Sequence, residues 1–343
     1  MNNIIKGLLP LLFVVSCDKI VEYPTVNNGR IHVNAVIGHD EIDRIIINVS
    51  QPVIGYETTF AEAVTVSLKA DERDITLERD TEYQPENSGE ISYLIKERLL
   101  PGQELKLKAS NDILPQVEAS TIIPKEIGNV KISSRIATVY REKDNYTFTN
   151  GLRSLREFEV TVENISDSDN FYGIHVCKKT IIDTIGKVPS HRWENYKNYP
   201  VENYENFYVN SQYNGGISVS SVEAEMIIDF MGGDMRVISS SKDEEKSTAK
   251  VYIEIYERKL WESMSGTMNE IFEIYKDYEY NIIVYRLSPE LYYYLRSEYI
   301  KENSYPNIEM GFNTPSYVYT NVDGGLGIFG AVIAYDSGWF KIE

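Results

Sequence analysis

Residues 64–70, with the sequence VTVSLKA, alternate apolar and polar side chains at every step. A period of two is typical of a β-strand that buries one face and exposes the other. Similar short runs lie on both sides of this stretch, and turn-forming residues such as Pro101-Gly102 separate them. Short strands with turns at this spacing predict an immunoglobulin-like β-sandwich over residues 30–124. The predicted strands are Ile31–Ile37, Arg44–Ser50, Val64–Ala70, Ile75–Glu78, Ile91–Ile95, Leu105–Ala109 and Val117–Ile122.

After Pro124 the strand-like runs become longer, which predicts a larger β-rich domain over residues 125–343. Two segments predict helices instead. Residues 261–275 carry apolar side chains at intervals of three or four, and residues 289–302 follow a capping Ser288 with a proline at the first helical position. The fold class is therefore expected to be mainly β, with one or two helices. The apolar positions of the first segment are Met264, Met268, Ile271, Phe272 and Tyr275.

The N-terminal residues 1–17 read MNNIIKGLLPLLFVVSC. The apolar run after Lys6 is shorter than the roughly 20 residues that cross a bilayer, and it is typical of a secretory signal peptide. The aliphatic and small residues before Cys17 resemble a bacterial lipoprotein cleavage box. That resemblance implies removal of residues 1–16, diacylation of Cys17 (palmitate) and a lipidated tether over residues 17–29. The alternative is an ordinary signal peptide that ends near a cysteine.

The charge and the cysteine count exclude several classes of function. The chain has 34 basic and 52 acidic residues, a net charge of −18, which disfavours binding to nucleic acid. Its 2 cysteines are too few for a disulfide framework or a cysteine-based zinc site. Since Cys17 is expected to carry lipid, Cys177 has no partner. We interpret it as a structural thiol, although His175 shares its face on a predicted strand.

The spacing Gly325-x-Gly327-x-x-Gly330 resembles a dinucleotide-binding loop. Such a loop opens a helix, whereas the residues after Gly330 alternate as in a strand, so the glycines are expected to allow a turn and close strand packing. The sequence also lacks Gly-x-Ser-x-Gly and His-Glu-x-x-His. We therefore expect no enzymatic activity, no catalytic or metal-binding residues and no cofactor.

Tyrosine is the unusual residue type, with 26 copies against 11 phenylalanines. A dense aromatic stretch runs from residue 193 to residue 213. Tyrosine combines a rigid apolar face with a polar tip, which suits binding to a glycan or to a peptide equally well. The alternative is that these tyrosines cover the protein's own sheet. The predicted partner- or ligand-binding residues are Trp193, Tyr196, Tyr199, Tyr204 and Tyr208.

Three segments together carry a resemblance to a known family: Arg30–Ile37 after the tether, Leu100–Leu105 leading to Ser120–Pro124, and Val318–Ala331. The chain is similar to the Bacteroidota lipoprotein family labelled domain of unknown function 4249. The resemblance implies an outer-membrane lipoprotein displayed on the cell exterior. It also implies association with TonB-dependent transporters of the starch-utilisation type. It supplies no catalytic residues.

These observations favour a non-enzymatic binding or accessory lipoprotein that works with an outer-membrane TonB-dependent transporter. The lipid anchor is the expected membrane attachment. A structural subunit of an outer-membrane assembly complex is the alternative, and a hydrolase with an unfamiliar site is a third interpretation. The sequence does not name the ligand.

Overall fold

The computed structural model describes residues 29–38, 42–50, 64–83, 90–143, 150–165, 168–187, 226–230, 233–265, 268–303 and 317–342. Within these ranges the protein is mainly β, as predicted, with sixteen strands and one helix. The elements are β1 (Arg30–Ile37), β2 (Asp43–Ser50), β3 (Thr65–Ala70), β4 (Arg73–Ile75), β5 (Leu77–Arg79), β6 (Ile91–Ile95), β7 (Glu104–Ser110), β8 (Val117–Ile122), β9 (Val130–Lys143), β10 (Asn150–Glu163), β11 (Asn170–Lys187), β12 (Ile227–Phe230), β13 (Gly233–Ser240), β14 (Lys246–Ser265), β15 (Met268–Leu287), α1 (Pro289–Asn303) and β16 (Leu326–Asp336).

The N-terminal strands form two sheets that face each other. One sheet contains β1, β2, β6 and β5, and the other has the order β4-β3-β7-β8. Alternate residues of β1, β2 and β7 are buried, as expected for strands with one face toward a core. Ile31 and Ile45 from the first sheet share this core with Leu68 and Leu107 from the second. The immunoglobulin-like topology of this sandwich stays a prediction.

Strand β16 joins this sandwich to the rest of the protein. Its first half pairs in parallel with β1, from His32↔Leu326 to Ile37↔Ala331. Its second half pairs antiparallel with β15, from Leu287↔Val332 to Ile283↔Asp336. Phe329 of β16 is fully buried in the N-terminal core. Residues of the predicted second domain therefore complete the first sheet, and the domain boundary at Pro124 stays a prediction.

Glycine is required at both ends of the contact between β1 and β16. Gly327 has φ +94°, and a Cβ atom there would lie 2.1 Å from the carbonyl oxygen of Val33. Gly38 has φ +90°, and its Cβ atom would lie 2.2 Å from the carbonyl oxygen of Val332. Both the left-handed backbone and the close approach of the two main chains exclude a side chain at these positions. Gly325 directly precedes β16 and Gly327 and Gly330 lie within it, which agrees with the predicted role of these glycines in a turn and in close packing.

In the C-terminal half, a group formed by β9, β10 and β14 packs against a group formed by β11, β13 and β15, and the pairing of β14 with β15 joins the two groups into one sheet. Strand β10 pairs with β9 on one side and β14 on the other, and β11 pairs with β13 and β15. Between them lies a core that contains Phe158 and Val160 of β10, Ile174 of β11 and Tyr280 of β15. A further core lies under helix α1, where Leu291 contacts the β16 side of the sheet.

Helix α1 confirms the predicted helix at residues 289–302, but the helix predicted at residues 261–275 is wrong. The described residues of this segment, 261–265 and 268–275, belong to β14 and β15, which pair with each other from Ser265↔Met268 to Arg258↔Tyr275. Strand β15 also pairs with β11 over this stretch. Met268 and Phe272, four residues apart, fit a period of two as well as a helical period, and pairing on both sides of β15 decides in favour of the strand.

Candidate functional site

The residues predicted to bind a partner lie outside the part of the chain that the structure describes. This applies to the whole stretch from residue 193 to residue 213 and to Cys17, the predicted acylation site. Their roles therefore stay predictions. The described residues contain two other groups of side chains that bear on function, a cluster of tyrosines at helix α1 and a buried carboxylate on β10.

Helix α1 is fixed to strand β16 at its first turn. The backbone N–H of Ser288 donates a hydrogen bond to the carbonyl oxygen of Ala331 (2.8 Å), and the Ser288 hydroxyl accepts one from the N–H of Ala331 (3.2 Å). The same hydroxyl lies 3.4 Å from the N–H of Leu291, in the position of an N-cap. The helix therefore begins at a point set by the shared strand.

The first turns of α1 place aromatic rings against Phe171 and the segment that precedes β16. Tyr292 stacks on Phe171, with ring centroids 4.3 Å apart and an interplanar angle of 19°. Tyr293 meets both rings edge-on, at 5.4 Å from Tyr292 and 5.9 Å from Phe171. Tyr319 lies 5.8 Å from Tyr293. We call Phe171, Tyr292, Tyr293 and Tyr319 the tyrosine cluster.

Part of the tyrosine cluster faces solvent. Tyr292 is buried, whereas Tyr293 is 44% exposed. Nearby along the chain, Tyr317 is 80% exposed. The sequence already contains a signal for this exposure. Tyr292, Tyr293 and Tyr294 are consecutive in a helix and point about 100° apart, so they cannot all face one core.

Two phenol groups around α1, those of Tyr319 and Tyr294, have raised pKa values. Burial, assisted by the negative charge of Glu290 and by Tyr293, raises the pKa of Tyr319. Burial also raises the pKa of Tyr294, and Glu298 adds to this effect. Protonated phenols beside exposed ring faces provide hydrogen-bond donors and apolar contact area together, which is a chemistry suited to binding.

Among the carboxylates of the described residues, Glu157 has the largest resolved pKa shift. The register of β10 places it beside Arg135 of β9 and Tyr252 of β14. Arg135 donates from Nε to Oε1 (3.0 Å) and from a terminal nitrogen to Oε2 (2.8 Å). The Tyr252 hydroxyl donates to Oε2 at 2.9 Å, and Lys250 Nζ lies 3.2 Å from Oε1. Glu157 itself is only 4% exposed.

This arrangement keeps Glu157 ionised. The hydrogen bonds from Arg135 outweigh the cost of burial and lower the pKa of Glu157 to about 2, with contributions from Tyr252 and Lys250. Burial and the hydrogen bond to Glu157 raise the pKa of Tyr252 to about 12. A carboxylate that already accepts from three side chains is unsuited to proton transfer near neutral pH. We assign Glu157 a role in holding β9, β10 and β14 together.

The cysteine on β11 is also unsuited to nucleophilic chemistry. Burial raises the pKa of the Cys177 thiol, and the negative charge of Asp336 raises it further. Reactive cysteines have a lowered pKa, because the thiolate is the nucleophile. The half-buried environment agrees with the interpretation of Cys177 as a structural thiol.

The described residues contain neither a candidate metal site nor a candidate membrane-spanning helix. No group of three or more His, Cys, Asp or Glu side chains there is arranged to hold a metal ion. In the same part of the chain, no helix has the length and the apolar character that crossing a membrane requires.

The described elements define a mainly β protein with a shared strand between its two halves. The chain belongs to the family described as Domain of unknown function (DUF4249), whose model matches residues 18–335. No curated protein matches the sequence. Among solved structures, one match is the C-terminal domain of the Streptococcus agalactiae AgI/II polypeptide BspA (wild type). The two sequences are 7% identical, and the match covers 76% of this chain and 95% of that chain. The TM-score is 0.16. A similarity this low carries no argument about fold or function.

We predict that Glu157→Gln removes a pH-dependent part of the stability. The pKa of Glu157 is about 2 in the folded protein, against an ordinary value of 4.5. Its contribution to stability is therefore complete above about pH 4.5 and is lost as the pH falls toward 2. Urea unfolding at pH 7 should show a loss of about 2 kcal/mol in the variant, as for hydrogen bonds to a charged group.

The control for this prediction is Glu159→Gln. Glu159 lies on the same face of β10, is half exposed, and contacts Lys250 at 3.5 Å. Its replacement should have little effect, because exposed ion pairs contribute little. If the stability of Glu157→Gln fell with acid as steeply as that of the unmodified protein, the assignment of the buried carboxylate would be wrong.

Proposed function

We propose that the protein is an outer-membrane lipoprotein that acts as a non-enzymatic accessory partner of a TonB-dependent transporter of the starch-utilisation type. The observation that carries this proposal is where the family match begins. It starts at Asp18, directly after Cys17 of the predicted cleavage box. A family region that begins directly after an acylated cysteine is the arrangement of a lipid-anchored protein, and two or more acyl chains suffice for stable anchoring.

The length of the proposed tether limits the distance between the N-terminal sandwich and the membrane. Residues 17–29 separate the anchor from β1. A chain of this length spans at most roughly 45 Å when fully extended, at 3.3–3.6 Å per residue. The N-terminal sandwich therefore stays near the membrane surface, where it can reach an integral outer-membrane partner. We propose that the body faces the cell exterior.

The described surfaces support binding as the mode of action. The tyrosine cluster combines the exposed ring of Tyr293 with the phenol of Tyr319, whose pKa is raised, and the stretch from residue 193 to residue 213 is also rich in tyrosine. Aromatic side chains provide large contact areas at a low cost in conformational entropy. By contrast, the carboxylate of Glu157 and the thiol of Cys177 are both held in states unsuited to catalysis.

The anchor is tested with two cysteine variants. We predict that Cys17→Ser moves the protein from the outer-membrane fraction to the soluble fraction, since a serine cannot be acylated in this way. Cys177→Ser is the matched control, because it removes the other cysteine of the chain and should leave the location unchanged. Immunoblots of separated membranes provide the measurement. Outer-membrane retention of Cys17→Ser in high salt, which releases proteins held by charge, would contradict the anchor.

The partner is tested by affinity purification from detergent-solubilised outer membranes. We expect a TonB-dependent transporter to co-purify in stoichiometric amount. Trp193→Ala and Tyr204→Ala should each weaken the purified complex about thirtyfold, which corresponds to about 2 kcal/mol for a truncated hot-spot aromatic.

Tyr293→Ala reports whether the tyrosine cluster belongs to the same interface. Melting temperatures separate binding from folding, because replacing a tyrosine that only covers its own sheet lowers the melting temperature and leaves the affinity for the partner unchanged.

Recovery of envelope-assembly components in place of a transporter would favour a structural subunit and would contradict the proposal.

A further inference from the structure

The first and last strands of the protein lie side by side and run in the same direction. Strand β1 begins at Arg30, just after the tether, and β16 ends at Asp336, seven residues before the last residue of the sequence. Six consecutive residue pairs join them, from His32↔Leu326 to Ile37↔Ala331. We call these six pairs the β1–β16 junction. Because the strands are parallel, their N-terminal ends lie together at one end of the junction.

A load on the tether would enter and leave this junction at opposite ends. A pull on residue 17 reaches β1 at its N-terminal end, next to Leu326. The C-terminal end of β16 is held by β15 through five further pairs, from Leu287↔Val332 to Ile283↔Asp336. The pull therefore acts along the strands, in shear. In shear the ladder hydrogen bonds share the load, whereas a pull across the strands opens them one at a time.

Strand β1 is held on its other side as well. It pairs antiparallel with β2, from Arg30↔Ser50 to Asn34↔Ile46. At the end where a pull would enter, the N–H of Arg30 also donates to the hydroxyl of Ser50 at 2.9 Å. The alternate residues Ile31, Val33 and Ile37 are fully buried. Sliding β1 out of the sheet would break both ladders and bring these side chains into water together.

The two main chains at the junction are unusually close. At Gly327 and Gly38, the position of a Cβ atom lies 2.1 and 2.2 Å from a carbonyl oxygen of the facing strand. Side chains at these two places would force the strands apart at opposite ends of the junction. The glycines therefore keep the ladder intact over its whole length.

We propose that the β1–β16 junction is a force-bearing clamp that transmits tension between the lipid anchor and the C-terminal half. The source of the tension rests on the proposed function, since it requires an anchored tether and a partner held by the C-terminal half. The resistance to shear is a property of the folded chain itself. The clamp keeps the N-terminal sandwich closed while the anchor is under load.

The test is single-molecule pulling of the full, unlipidated chain between Cys17 and a second cysteine. All chains carry Cys177→Ala, so that handles attach only at the chosen thiols. Ala334→Cys and Asp323→Cys use exposed positions at the two ends of β16. Pulling from residue 334 loads the junction in shear, and pulling from residue 323 opens it from one end. We expect a rupture force about twofold higher from residue 334, because forced unfolding reports the barrier along the loaded direction.

Two glycine variants test the junction, Gly327→Ala as the disrupting change and Gly338→Ala as its matched control. Gly327→Ala should lower the rupture force measured from residue 334 toward the value measured from residue 323. Gly338→Ala introduces a side chain at a φ of +68° but meets nothing within 4 Å, so it should leave the force unchanged. Equal rupture forces from residues 334 and 323 in the otherwise unmodified chain would overturn the clamp. The absence of lipid and membrane from this experiment separates its failure from failure of the proposed anchor.

Discussion

The protein depends on one shared strand. Strand β16 pairs with β1 over its first half and with β15 over its second half, so the sheet of the N-terminal sandwich continues into the C-terminal half. Parallel pairing between residues almost 300 positions apart closes a loop that contains nearly the whole chain. The entropic cost of such a closure grows only slowly with loop length, so the buried contacts of the strand can offset it. Phe329, which is fully buried in the N-terminal core, supplies one of them.

The shared strand determines the positions of several neighbouring segments. The Asn321 side chain accepts a hydrogen bond from the N–H of Phe329 (3.0 Å) and donates one to the carbonyl oxygen of Phe329 (2.8 Å). Its amide also donates to the carbonyl oxygen of Ser120 at 2.9 Å. The segment before β16 is thereby fixed to β8. Ser288 fixes the start of α1 to Ala331. The tyrosine cluster, which is carried partly by α1 and partly by Tyr319, therefore takes its position from β16.

The sequence predicted the parts of the fold that local patterns determine. Ser288 and Pro289 mark a helix start by their own chemistry, and the alternation in residues 64–70 marks a strand. Residues 261–275 show where this approach fails, because their apolar spacing fits a helix and a strand alike, and only the pairing of β15 with both β11 and β14 decides between them. The Glu157 site was missed because Arg135 and Tyr252 reach it through strand register, which no local pattern encodes. The predicted aromatic site falls outside the described residues.

The central claim is that β16 makes the two halves one cooperative unit. Native-state hydrogen exchange at increasing urea concentration tests it most directly, with amides of β7 reporting on the N-terminal sandwich and amides of β11 on the C-terminal half. We expect both sets to converge on one opening free energy with one urea dependence, because β16 pairs with a strand of each half and buries Phe329 in the N-terminal core. Exchange of the β7 amides through an opening that leaves the β11 amides protected, with a different urea dependence, would contradict the account.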